Sequence, residues 1–64
     1  MKVFLRERRK ELGLTQLQVA QSSGLAESAY QRYERGDAEP RVTAAIRLAR
    51  ALDTTVDKIY DTDD

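Results

Sequence analysis

The sequence predicts an all-α domain of five short helices, with the second and third joined by a tight turn. Three observations predict it. Apolar residues recur at helical spacing, whereas the alternation of a half-buried strand is never sustained. Glycine, threonine and proline stand where helices would start and stop. The length of 64 residues allows one domain with a thin core, since a chain this short buries only roughly 60% of its unfolded surface.

The first helix is predicted over about Lys2–Leu12, with Leu5 and Leu12 on a face shared with Arg8 and Arg9, and Gly13 ending it. The second begins after Thr15. Thr15 and Gln18 form a T-x-x-Q capping box, in which each side chain satisfies an orphan amide of the first turn. Leu14 precedes the cap as a staple candidate, Val19 and Ala20 point inward, and Gly24 is a natural left-handed stop. The turn Ser23–Ala26 is short and centred on that glycine, which is how a helix-turn-helix unit is built. The third helix spans about Glu27–Arg35 and stops at Gly36. Asp37–Pro40 reads as a loop, because the residue before a proline avoids the helical region. A fourth helix runs Val42–Leu52 with Ala45, Ile46, Ala49 and Leu52 along one side, and a short fifth covers Val56–Tyr60 after the cap Thr55. One domain over residues 1–61 is expected, with 62–64 a disordered acidic tail.

Composition narrows the function. Cysteine and histidine are both absent. That removes disulfides, Cys-based zinc sites and the usual general base. An enzyme would also need a pocket, for which this length leaves little room. No enzymatic activity, metal, cofactor or small-molecule ligand is expected. No apolar run approaches the roughly 18 residues of a membrane span, and the early charges Arg6–Lys10 do not fit a secretory signal. The expected location is the cytoplasm. The formal net charge is zero, yet residues 1–50 hold ten Lys or Arg against six acids, and 51–64 hold Lys58 against five aspartates. A polyanion would meet the first part and avoid the second. Charges this numerous would equally serve to solvate helix faces.

The third helix is the informative one. With Tyr30 and Tyr33 inward, 100° per residue places Ser28, Gln31, Arg32 and Arg35 on the opposite face. All four are polar types used on DNA. Arg32 can fork to guanine O6 and N7, and Gln31 can read adenine. Ser28 lies in the first turn, which goes deepest into the major groove. An ordinary amphipathic helix with a hydrated outer face has the same pattern. The capped helix and glycine turn before it favour DNA. The tyrosines could stack on single-stranded bases, but their spacing on the buried face favours core packing, with each hydroxyl reaching the domain edge.

Gly13-Leu-Thr-Gln16, Val19-Ala20, Ser23-Gly24-Leu25, Tyr33-Glu-Arg-Gly36 and Glu39-Pro40 together resemble the Cro/C1-type (xenobiotic-response-element) family of bacterial and phage repressors. Ala45-Ile46, Leu48-Ala49, Ala51-Leu52 and Val56-Asp57 continue the match, so it covers about Leu5 to Tyr60. The resemblance implies a five-helix, lambda-repressor-like transcriptional regulator that binds double-stranded operator DNA. It implies base reading at Glu27, Ser28 and Arg32, to which the outer face of the third helix adds Gln31, and a phosphate contact at Gln16; Thr15, Arg35 and Arg41 are the further backbone candidates. It also implies a structural ion pair of Arg9 with Glu34. Several positions depart from the family pattern. Ala26 stands where a Ser or Thr usually caps the third helix. Glu27 is a carboxylate at a reading position. Asp37 and Glu39 lie in a loop that is often basic, and Arg8 stands at a frequently apolar core position.

Relatives bind as two-fold dimers, so a homodimer is expected, with Val56, Ile59 and Tyr60 as candidate interface residues and Leu17 as a further one. Repressor or autoregulator is the first reading. The antitoxin of a toxin–antitoxin pair, and a bridging-factor-like protein-interaction module, are the alternatives.

Overall fold

The computed structural model describes residues 2–61. The acidic tail expected over 62–64 lies outside the described residues. Seven elements follow in order: β1 (Lys2–Val3), α1 (Leu5–Glu11), α2 (Gln16–Ser23), α3 (Glu27–Arg35), α4 (Val42–Ala51), α5 (Val56–Ile59) and β2 (Tyr60–Asp61).

The five helices are those expected, and the differences lie at the chain ends. Helix was predicted from Lys2. Instead β1 pairs antiparallel with β2, placing Lys2 opposite Asp61 and Val3 opposite Tyr60. The Phe4 amide donates to the Ile59 carbonyl at 2.7 Å. The first amides of a helix have no partner within it, and here the opposite end of the chain supplies acceptors. Tyr60 accordingly leaves α5 for the strand.

Four helices end alike. Within two residues of each end the chain turns left-handed, and the next amide reaches back five residues. The bonds are Leu14 to Arg9, Leu25 to Ala20, Asp37 to Arg32 and Thr54 to Ala49, at 2.9–3.1 Å. The first three use glycine, whereas α4 uses Asp53 at φ 51°. Arg8 supports this last end. Its Nε donates to the Leu52 carbonyl and its Nη2 to the Asp53 carbonyl, both at 2.8 Å. A cation is favoured at the negative end of a helix. This accounts for a half-buried arginine at a position where an apolar residue is common.

The core joins Leu5 of α1, Val19 and Ala20 of α2, Tyr30 of α3, Leu48 and Leu52 of α4, and Ile59 of α5. Leu14, Leu25, Tyr33 and Tyr60 pack against it, so Leu14 stands where the staple was expected. Three apolar expectations are corrected. Leu12 is 39% exposed, because the chain leaves α1 before it completes the turn that would bury it. On α4 the inward stripe is Ala45, Leu48, Ala49 and Leu52, and Ile46 is 40% exposed. Ile59 is 1% exposed and belongs to the core, so it is withdrawn from the candidate dimer surface.

Candidate nucleic-acid interface

The helix-turn-helix unit is α2, the turn at Gly24, and α3. Thr15 caps α2 as expected. Its Oγ1 accepts from the Gln18 amide at 3.1 Å, and Gln18 Oε1 accepts from the Thr15 amide at 2.8 Å. Gly24 sits at φ 68°, and a Cβ there would meet only Arg47 Nη1 at 3.8 Å. The glycine is therefore required by its backbone angle and not by crowding. Ala26 takes the extended conformation of a capping residue without any side-chain cap bond.

α3 is oriented from inside. Tyr30 is fully buried and Tyr33 half-buried. Behind them, Arg9 Nε donates to Glu34 Oε2 at 2.8 Å and Arg9 Nη2 to Glu34 Oε1 at 3.0 Å. The side chains are 13% and 4% exposed. The third arm, Nη1, donates to the Leu14 carbonyl at 2.9 Å. Burial alone would raise the Glu34 pKa. Hydrogen bonds from Arg9 and Gln16, the neighbouring Tyr30 hydroxyl and the Arg9 charge more than offset this, so the carboxyl lies below its ordinary range. The Tyr30 hydroxyl does not reach the domain edge as expected. It is buried and makes no hydrogen bond of good geometry. Burial, then the nearby Glu34 carboxylate, holds this phenol well above its usual pKa.

The pair extends toward the surface. Gln16 Nε2 donates to Glu34 Oε1 at 3.1 Å, and Gln31 Nε2 donates to Gln16 Oε1 at 3.2 Å. A relay Arg9–Glu34–Gln16–Gln31 thus links α1, the start of α2, and α3. Each amide group has two N–H donors, so Gln16 and Gln31 each keep one. The outer face holds Glu27, Ser28, Arg32 and Arg35, all exposed, with Gln31 half-buried at its margin. Arg35 Nε donates to Asp37 Oδ2 at 3.0 Å between two well-exposed side chains. Such a pair is worth little in water, so Arg35 can exchange it for another anion. Arg41 is exposed beside the start of α4.

Sequence reasoning gave Arg47 and Arg50 no place. The structure puts both on the outer stripe of α4 with Thr43, at i, i+4 and i+7, and that spacing was the available signal. Two shallow grooves meet at Arg47. One lies between α3 and α4 and is lined by Arg32, Arg41, Thr43 and Arg47, with Glu39. The other is formed by the end of α2, Gly24, Arg47 and Arg50. Among the described residues, none of Arg32, Arg41, Arg47 and Arg50 is in an ion pair. A third groove, beside Glu7, Arg8, Glu11 and Lys58, carries balanced charge.

A glycine-turned, capped helix pair that holds out a polar second helix defines a helix-turn-helix domain. The HTH_3 helix-turn-helix model matches residues 5–59, and the chain belongs to this Cro/C1-type family. An uncharacterized HTH-type transcriptional regulator of Methanothermobacter thermautotrophicus is 42% identical over 52 residues, which are 81% of this chain and 75% of that one. The restriction-modification controller protein C.AhdI of Aeromonas hydrophila superposes with TM-score 0.84 at 36% identity, over 88% of this chain and 85% of that one. The P22 c2 repressor, solved with a synthetic operator, gives TM-score 0.85 at 29% identity over 92% and 89%. The chain spans about half (53%) of the phage CTXphi transcriptional repressor RstR of Vibrio cholerae, to which it is 30% identical. No described helix is long and apolar enough to cross a membrane.

Proposed function

We propose that this chain is a sequence-specific regulator of transcription, acting as a repressor or autoregulator, that binds double-stranded operator DNA with α3 in the major groove. The observation that carries the reading is the outer face of α3. Exposed Ser28 and Arg32 project from a helix whose inner face is anchored by Tyr30 and the Arg9–Glu34 pair. Base reading is assigned to Ser28 and Arg32, with Gln31 and Glu27 at the margin. Arg32 suits guanine through a bidentate fork, and Glu27 suits cytosine N4. Backbone contact is assigned to Thr15, Gln16, Arg35 and Arg41. The open amides at the start of α2 suit a phosphate there. The kinship with repressors and a controller protein supports the regulatory role.

A homodimer on two half-sites completes the reading. Ile59 is buried, so the apolar residues open to a second copy are Val56, Val42 and Ile46 on α5 and α4, beside half-buried Tyr60, and the exposed Leu17 on α2. Residues 1–61 act as one domain in the cytoplasm, with no cofactor.

Selection of bound duplexes from random DNA tests this. The expected product is a two-fold symmetric site, with log affinity falling linearly against log salt. Absence of any enriched sequence, with no binding even at low salt, overturns it in favour of a protein-interaction module.

A further inference from the structure

We propose that the outer stripe of α4, Arg47 and Arg50 beside Thr43, is a second DNA-backbone contact that continues the phosphate path from Arg41 past the turn at Gly24. The inference rests on the DNA-binding reading above and adds residues to it.

Three observations carry it. The stripe is cationic and unneutralised. Arg32, Arg41, Arg47 and Arg50 line two grooves whose only acid is Glu39, and none of the four is in an ion pair among the described residues. By contrast, Arg8, Arg9 and Arg35 all have carboxylate partners. The stripe is also continuous with the proposed reading face. Arg47 lines both grooves, so one groove opens on Arg32 of α3 and the other on Gly24 and the last turn of α2. Finally, the reach is suitable. At about 1.5 Å per residue, Arg41 to Arg50 spans roughly 13 Å along α4. One strand of duplex carries a charge about every 3.4 Å of axis, and about twice that along the backbone itself, so that span faces about two or three phosphates.

The stripe resolves a difficulty of charge. The chain has no net charge, and α3 itself carries Glu27 beside its readers. A polyanion must then be held by local excess, and the flank of α4 supplies one. An acidic protein would also suit arginines. Continuity with the α3 face favours the nucleic acid, because a duplex seated on α3 has its backbone on the flanks of that helix.

The test compares wild type with Arg47→Ala, Arg50→Ala and their double variant on the selected duplex and on a scrambled one, across a salt series. Both side chains are exposed, so the variants should keep the wild-type melting temperature. The expected result is weakening by the same factor on both duplexes. The log–log salt slope should shrink by about 0.9 for each phosphate that is no longer neutralised, and Arg47→Lys should keep most of it as a point charge. Arg32→Ala should instead relax base choice at one position. If wild type shows a salt slope and the double variant keeps it unchanged, this proposal fails alone, and the stripe is left for an acidic protein. A weakening confined to the selected duplex overturns it as well, since that means base reading. A wild type without any slope overturns it together with the DNA reading.

Discussion

Glu34 is 4% exposed in a domain with a small core. An isolated carboxylate there would be costly, and its place depends on the two-pronged bond from Arg9 and the amide of Gln16. Removing one partner of such a pair costs about 3–5 kcal/mol. Total stability at this size is roughly 3–10 kcal/mol. Glu34→Ala should therefore remove about 3–5 kcal/mol, a large part of the total, as urea titration followed by circular dichroism would register. Acid should act through the same residue. The Glu34 pKa lies below its ordinary 4.5 in the folded chain, so its contribution is complete above pH 4.5 and is lost as pH falls through the folded value. A Glu34→Gln domain, where it still folds, should lose less stability on acidification. Equal acid sensitivity in the two would contradict this. The pairing was legible only through family resemblance, since the place of Arg9 on the Leu5 face does not name a partner 25 residues away. The role of Arg8 was not legible at all. Its acceptors, the Leu52 and Asp53 carbonyls, lie 44 and 45 residues away, and nothing local announces a helix end so far along the chain.

Among the elements, α2 and α3 were read with their boundaries intact because their signals are local. A capping box and left-handed glycines act through bonds within five residues. The same reasoning leaves one weak end. Ala26 has the extended backbone of a cap, φ −67° and ψ 143°, but no side-chain acceptor. Ala26→Ser should stabilise the domain by about 1 kcal/mol, seen as a higher urea midpoint at unchanged slope. An unchanged or lower midpoint would mean that Glu27 at the first turn already serves that end. Signals failed where the deciding partner is distant. Lys2–Val3 carries ordinary helical composition, and only the opposite chain end makes it a strand. On α4, Ile46 and Leu48 are equally apolar, and only the packing of α2 and α5 against that helix selects Leu48. The Tyr30 hydroxyl is a similar case, buried beside the Arg9–Glu34 pair that α1 completes.

At the scale of the whole molecule, the domain measures 31 × 21 × 19 Å and presents one helix, α3, in the proposed reading position. Half-sites of a two-fold operator lie roughly 34 Å apart, centre to centre. One chain cannot place α3 in both grooves, so full-length sites require two copies. Sedimentation with a duplex carrying two half-sites should give a 2:1 complex, with Val56→Glu binding one half-site as a monomer. A 1:1 complex on the intact site would overturn the dimer. The candidate site was legible in outline, because α3 is amphipathic on its own. Its flank was not, because Arg47 comes beside Arg32 of α3, and Arg50 beside the end of α2, only when α4 folds back.

The pairing of Lys2 with Asp61 brings the two ends of the described chain to one corner. A loop of a few residues would close them into a ring, and the backbone could then be cut at an exposed turn such as Asp37–Ala38 without disturbing any helix. Such a circular permutant would present its new ends next to Arg35 and Arg41. Anything fused there would stand at the proposed DNA face, whereas a fusion through Lys2 or Asp61 leaves from the ribbon.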